Sequence, residues 1–246
     1  MNGDTILHKL CQSKSDKFNL IKYCLDNGMK KFINEKNNCG QTALALYLIN
    51  DNFRIKSEET INLFIDNGIN INTINNNGET YLHLVFIGCY DIKIMKLLLS
   101  KGVDVNFKNN INKTCLHYTK DINVLKLLIY NGANINIKDI RGWLCLHYFC
   151  NQRFRFYIEM IKLLIEYGIN INEKTNEGNT CLHILCQKII TESNIVNVIE
   201  LLIKNGININ ERNNKGETYL HLICKGIKNF NIIELLVKNG VNVNII

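Results

Sequence analysis

A chain of 246 residues with 46% apolar residues and a formal net charge of +7 is long enough to bury a core and ordinary enough to be globular. No run of basic residues exceeds two, so the charge permits a nucleic-acid partner, which normally needs a concentrated basic face, without indicating one. Ten cysteines fall short of a disulfide scaffold, MNGDTILHKL (1–10) has no apolar signal core, and the most apolar window, 81–100, is broken by Asp91, Lys93 and Lys96.

In chain order, one cycle recurs. GDTILH (3–8) leads to the looser YCLDNGMKKFIN (23–34), and GQTALA (40–45) to LFIDNGININ (63–72). GETYLH (78–83) leads to LLLSKGVDVN (97–106), NKTCLH (112–117) to LLIYNGANIN (127–136), and GWLCLH (142–147) to LLIEYGININ (163–172). GNTCLH (178–183) leads to LLIKNGININ (201–210), and GETYLH (216–221) to LLVKNGVNVN (235–244). Thr5, Thr42, Thr80, Thr114, Thr180 and Thr218 are predicted to cap a first helix; Leu144 takes that place in the fifth copy. The spacing of MIKLLI (160–165) and VIELLI (198–203) predicts an amphipathic second helix, ended by a left-handed glycine at Gly68, Gly102, Gly132, Gly168, Gly206 and Gly240. A unit this short cannot bury its own apolar face, but stacked copies can.

These residues resemble ankyrin repeats, whose pattern is G-x-T-P-L-H, a helix, a turn, L-L-x-x-G-A-x-x-N and an extended hairpin. The resemblance implies an all-α solenoid of stacked helix-turn-helix units with projecting β-hairpin loops. It makes 1–246 a single domain with approximate repeats 3–39, 40–77, 78–111, 112–141, 142–177, 178–215 and 216–246. The proline of the pattern is replaced throughout, by Ile6, Ala43, Tyr81, Cys115, Cys145, Cys181 and Tyr219. The chain has no Pro, three Ala and 40 Asn, a bias expected of an AT-rich genome. Composition and irregular repeat lengths are similar to ankyrin proteins of large DNA viruses, intracellular bacteria or AT-rich unicellular eukaryotes. Neither end reads as a polar cap, so a fragment, a truncated gene product, or an array that docks something at its end is expected.

Spacing varies between the two helices of a repeat. The longest inserts are at 50–60 and 188–194, and YTKDIN (118–123) leaves little room for a first helix in the fourth repeat. The stretch RGWLCLHYFC (141–150) suggests a metal or thiol site at Cys145, His147 and Cys150. All six histidines, however, share one register, where the resemblance implies a bond to backbone at the repeat junction. Cysteines likewise fill the proline position or the third place after His. No metal, cofactor or catalytic set is therefore expected, and no enzyme.

The remaining candidates lie on the hairpin fingers. A basic residue recurs at Lys36, Lys108, Lys138, Lys174 and Arg212, with Arg141 on the same edge, although Glu35, Glu173 and Glu211 dilute three of them. Trp143, the only tryptophan, stands where the other copies carry Asp4, Gln41, Glu79, Lys113, Asn179 and Glu217. Exposed Trp favours binding hot spots, and Ile140, Ile137 and Phe107 would extend an apolar patch; the plainer reading folds Trp143 over Leu144. The expected function is a monomeric, cytoplasmic protein-interaction scaffold or adaptor, a host-interaction factor if viral. It would bind protein partners through its concave face and through Trp143, Arg141, Ile140, Lys138, Phe107, Lys108, Lys174 and Arg212. Association of the basic finger edge with nucleic acid or another anionic surface is the alternative, and no membrane is expected.

Overall fold

The computed structural model describes residues 2–13, 17–50, 57–151, 157–187, 194–226 and 230–244. Among them are thirteen α-helices and two 3-10 turns, and no strand. They divide into two compact units, 1–133 and 134–246. The first contains α1 (Ile6–Gln12), α2 (Phe18–Asp26), a 3-10 turn (Met29–Phe32), α3 (Ala43–Ile49), α4 (Ser57–Asp66), α5 (Tyr81–Ile87), α6 (Ile92–Ser100), a second 3-10 turn (Cys115–Tyr118) and α7 (Ile122–Tyr130). The second contains α8 (Cys145–Asn151), α9 (Tyr157–Glu166), α10 (Cys181–Cys186), α11 (Asn194–Lys204), α12 (Tyr219–Gly226) and α13 (Phe230–Lys238).

Within the first unit α1, α3, α5 and the Cys115–Tyr118 turn pack in succession, and α4 lies on α6. Within the second, α8, α10 and α12 form one layer and α9, α11 and α13 another. This is the stacking the repeats require, because each second helix carries a stripe of apolar residues one face wide. Ile21, Ile61, Met95, Leu125, Ile161 and Ile199 lie seven residues before the glycine, and Phe64, Leu98, Leu128, Leu164, Leu202 and Leu236 lie four before it; each is at most 1% exposed. Each such burial is worth roughly 2 kcal/mol. The fourth repeat is as short as its sequence predicts, its first helix reduced to the four residues Cys115–Tyr118. The long inserts fall mostly on 51–56 and 188–193, outside the described residues.

Side chains close the N-termini of first helices and the C-termini of most second helices. Thr5, Thr42 and Thr80 accept the amide of the third helical residue. At Thr5, Thr80, Thr114 and Thr180 the histidine returns the favour, its Nδ1 accepting the threonine amide, so imidazole takes the part that Glu or Gln plays in the usual capping box. At the other end Asn27, Asn67, Asn131, Asn205 and Asn239 donate their side-chain amides to the carbonyl four residues back, at 2.7–2.8 Å.

The projecting loops are turns rather than β-ladders; the one bridge among the described residues joins Ile74 and Thr80. Each loop is organised by one oxygen. The side chains of Asn37, Asn75, Asn109, Asp139, Thr175 and Asn213 each accept two backbone amides, from the residues two and four positions on. Neighbouring fingers are then tied by asparagine rungs: Asn76 donates to the Asn38 carbonyl, Asn110 to Asn76, Asn176 to Ile140 and Asn214 to Asn176, each at 2.9 Å. The asparagine excess, which base composition alone explains in sequence, thus serves as helix caps, turn organisers and rungs.

Candidate functional site

The histidine register has one job wherever its partners are described. Nδ1 accepts the amide of the N-cap residue, so the proton sits on Nε2, which donates to a backbone carbonyl at the start of the next repeat or, for His147, near the end of its own. The pairs are His8 with Gln41 at 2.8 Å, His83 with Lys113 at 3.0 Å, His147 with Glu173 at 3.1 Å and His183 with Glu217 at 3.3 Å. Both nitrogens are consumed. Burial drives the imidazoles of His147 and His183 down to about 4 and lowers that of His83, the carbonyl bond opposing it in each case. Cys145 is equally occupied: its thiol, buried and pushed up to about 12, points at the Ile135 carbonyl 3.8 Å away. His147 and the flanking cysteines are therefore placed as junction and core residues. Among the described residues no three His, Cys, Asp or Glu side chains gather as metal ligands.

What RGWLCLHYFC does build is a cation–aromatic cluster. Asp139, 5% exposed, organises its finger by accepting the amides of Arg141 (2.8 Å) and Trp143 (2.9 Å) on Oδ1. Its Oδ2 accepts the Tyr148 hydroxyl at 2.6 Å, and that hydroxyl accepts Nη2 of Arg141 at 2.6 Å. The Arg141 guanidinium lies 4.6 Å over the Trp143 ring and 5.6 Å from that of Tyr148, and the two rings meet edge to face at 5.2 Å. Burial opposes ionisation of Asp139, but the Tyr148 hydroxyl, the two amides and the guanidinium together hold its carboxyl below the ordinary value. Burial and the neighbouring carboxylate raise the Tyr148 phenol.

Trp143 is half-buried, leaning on Tyr148 and His147, which lies 6.1 Å away between ring centres. It is neither a free knob nor a core residue. Ile140, beside it on the finger, is 54% exposed. Asp139 and Tyr148 are the cluster members that sequence reading passes over. Their signals were the single carboxylate in a turn register otherwise filled by Asn and Thr, and an aromatic directly after the junction histidine.

The basic edge is less basic than its sequence. Lys138 pairs with Glu173 at 2.6 Å and also donates to the Lys174 carbonyl; Lys174 pairs with Glu211. Lys36 donates to the Ile74 carbonyl at 2.8 Å. Arg212 is exposed in the second unit, while Lys108, exposed, and Phe107, half-buried, belong to the first.

A family model of three ankyrin repeats matches residues 52–139 and 118–213, and a single ankyrin-repeat model matches 215–246. The chain belongs to the ankyrin-repeat family. No curated protein matches it. Ankyrin repeats are generally protein–protein interaction modules and typically non-catalytic. Among the described residues no helix is long and apolar enough to cross a membrane.

Proposed function

We propose that this ankyrin-repeat chain is a non-catalytic scaffold or adaptor that binds a protein partner along its finger edge, acting in the cytoplasm as a monomer. Its repeats would run 3–39, 40–77, 78–111, 112–141, 142–177, 178–215 and 216–246. The carrying observation is the fifth finger. There a half-buried Trp143 under Arg141 and a 54% exposed Ile140 occupy positions that sister copies fill with polar side chains. Aromatic and arginine anchors with an apolar neighbour are the composition of binding hot spots. Lys138, Lys174 and Arg212 are assigned to the rim of this surface, where charge sets encounter rate and specificity more than affinity, and Phe107 and Lys108 to a partner contact of the first unit taken by itself. A role toward host proteins is the finer form of this reading.

Affinity capture from lysate with the wild type and with Ile140→Asp and Trp143→Ala tests it. Ile140 is exposed, so Ile140→Asp should abolish capture while leaving the melting temperature unchanged. Trp143→Ala should abolish capture too, at a small stability cost from its contact with Tyr148. Undiminished capture by both variants would overturn the assignment. The anionic-surface alternative predicts binding that collapses between about 50 and 200 mM salt. The pairing of Lys138 and Lys174 with glutamates weighs against it.

A further inference from the structure

On the reading that the fifth finger is a binding surface, we infer that Arg141 is its specificity residue, positioned to take one Asp or Glu carboxylate of the partner, with Ile140 receiving the apolar residue beside it.

The other fingers place Cys39, Asn77, Ile111, Glu177 and Lys215 at the position of Arg141, and only this one joins a cation to an indole. The cations around it are committed elsewhere, Lys138 to Glu173 and Lys174 to Glu211. Arg141 differs because the carboxylate behind it already holds three short hydrogen bonds and meets the guanidinium only at longer range. Oδ1 of Asp139 holds two amides and Oδ2 holds the Tyr148 hydroxyl, so the Nε of Arg141, 3.5 Å away, gains charge balance but no short hydrogen bond. Nη2 donates once, to Tyr148, and Nη1 has no partner among the described residues. The side chain of Arg141 remains 55% exposed while that of Asp139 is 1% exposed.

Trp143 lies 4.6 Å from the guanidinium, and the N–H donors that Tyr148 and Asp139 leave unused belong to a side chain 55% exposed. A planar fork of N–H donors fits a two-oxygen acceptor, which is a carboxylate. Tyr148 is the positioning residue: clamped by Asp139, it fixes the fork before any partner arrives, and such preorganisation reduces the entropy lost on binding. A phosphate carries about two negative charges and three acceptor oxygens. One guanidinium, partly balanced by Asp139 and flanked by the paired Lys138 and Lys174, suits at most a single charge, so the structure favours an acidic side chain over a phosphorylated one or a nucleic acid. Ile140 takes the rung position that asparagine holds at Asn38, Asn76, Asn110, Asn176 and Asn214, and it sets an apolar surface next to the fork.

The single tryptophan provides the readout, since Trp143 lies directly under the guanidinium. The full chain is titrated, with Trp143 emission followed, with the peptide Leu-Asp-Leu-Asp-Leu-Asp, with its Asn and phosphoserine counterparts, and with a single-stranded oligonucleotide. The Asp peptide should bind at least about tenfold more tightly than the Asn peptide. Arg141→Lys and Arg141→Gln should each erase that preference, and Tyr148→Phe should weaken it several-fold. Circular dichroism melts identify any variant that has lost its fold, and having two substitutions at 141 keeps the comparison decisive. Equal binding of Asp and Asn peptides, or a preference retained in Arg141→Lys, overturns the proposal. So does tighter binding of the phosphoserine peptide or the oligonucleotide. If no peptide binds while lysate capture still requires Trp143, the carboxylate reading fails and the finger surface stands. If capture also ignores Trp143 and Ile140, the underlying function fails with it.

Discussion

At the scale of single residues, this protein distinguishes positions that look alike in sequence. Gly178 and Gly206 both adopt left-handed backbone, with φ of +76° and +84°. A methyl group on Gly206 would meet open space, whereas on Gly178 it would lie 2.3 Å from Asn214 Oδ1 and 2.7 Å from its backbone nitrogen. Alanine in left-handed backbone costs about 1–2 kcal/mol. Gly206→Ala should lose about that much in urea denaturation, and Gly178→Ala clearly more, because the Asn214 rung must be pushed away as well. Equal losses would mean that the rung contributes nothing. Leu144 makes a related point. Where it replaces the capping threonine, its amide still donates to Nδ1 of His147 at 2.9 Å, so half of the box survives loss of the hydroxyl.

At the scale of the element, the repeat junction is a pH-dependent fastening. An imidazole that accepts on Nδ1 and donates from Nε2 is held as one neutral tautomer, and a second proton would face the N-cap amide. The ordinary value is 6.5 and the folded values of His147 and His183 fall to about 4, so the unfolded chain binds more protons between those limits. Stability is therefore complete above pH 6.5 and is lost as the pH falls toward 4, by on the order of 2 kcal/mol for each of these histidines. The interval from pH 6.5 to 5 lies above the ordinary carboxylate range, so most of the decline there belongs to imidazole. Thermal melts at pH 7, 6 and 5 should show a falling Tm, with a shallower slope in His183→Gln; a Tm flat over that range would refute the tautomer assignment. The rest of each element was legible beforehand: threonine caps, terminating glycines and the cut-down first helix of the fourth repeat all follow from local spacing.

At the scale of the molecule, stacking decides which side chains solvent meets. Seven of the ten cysteines, Cys11, Cys89, Cys115, Cys145, Cys150, Cys181 and Cys186, are buried, Cys24 is intermediate, and Cys39 and Cys224 are exposed. Burial pushes the thiols of Cys11, Cys115 and Cys186 upward, away from the reactive thiolate. A chromogenic disulfide reagent at neutral pH should therefore modify Cys39 and Cys224 quickly, Cys24 more slowly, and the other seven only in denaturant. Rapid modification of most thiols in the folded chain would contradict the packing described for both units.

The sequence by itself determined the repeat, its period, the helix caps and the family, because each depends on residues within one turn or one repeat of each other. It also exposed Trp143 as the odd residue of its register. Only the tertiary structure decided what surrounds that residue. Asp139 and Tyr148 are nine positions apart, yet they meet at 2.6 Å because a finger turn folds back over the helix that follows it. Lys138 and Glu173 are separated by 35 positions and meet because neighbouring repeats stack. A periodic sequence shows what stands at each register. The pairing of side chains across a junction depends on distances that exist only once the repeats have packed, and those distances paired Lys138 and Lys174 of the basic ladder with glutamates and left Arg141 with donors to offer.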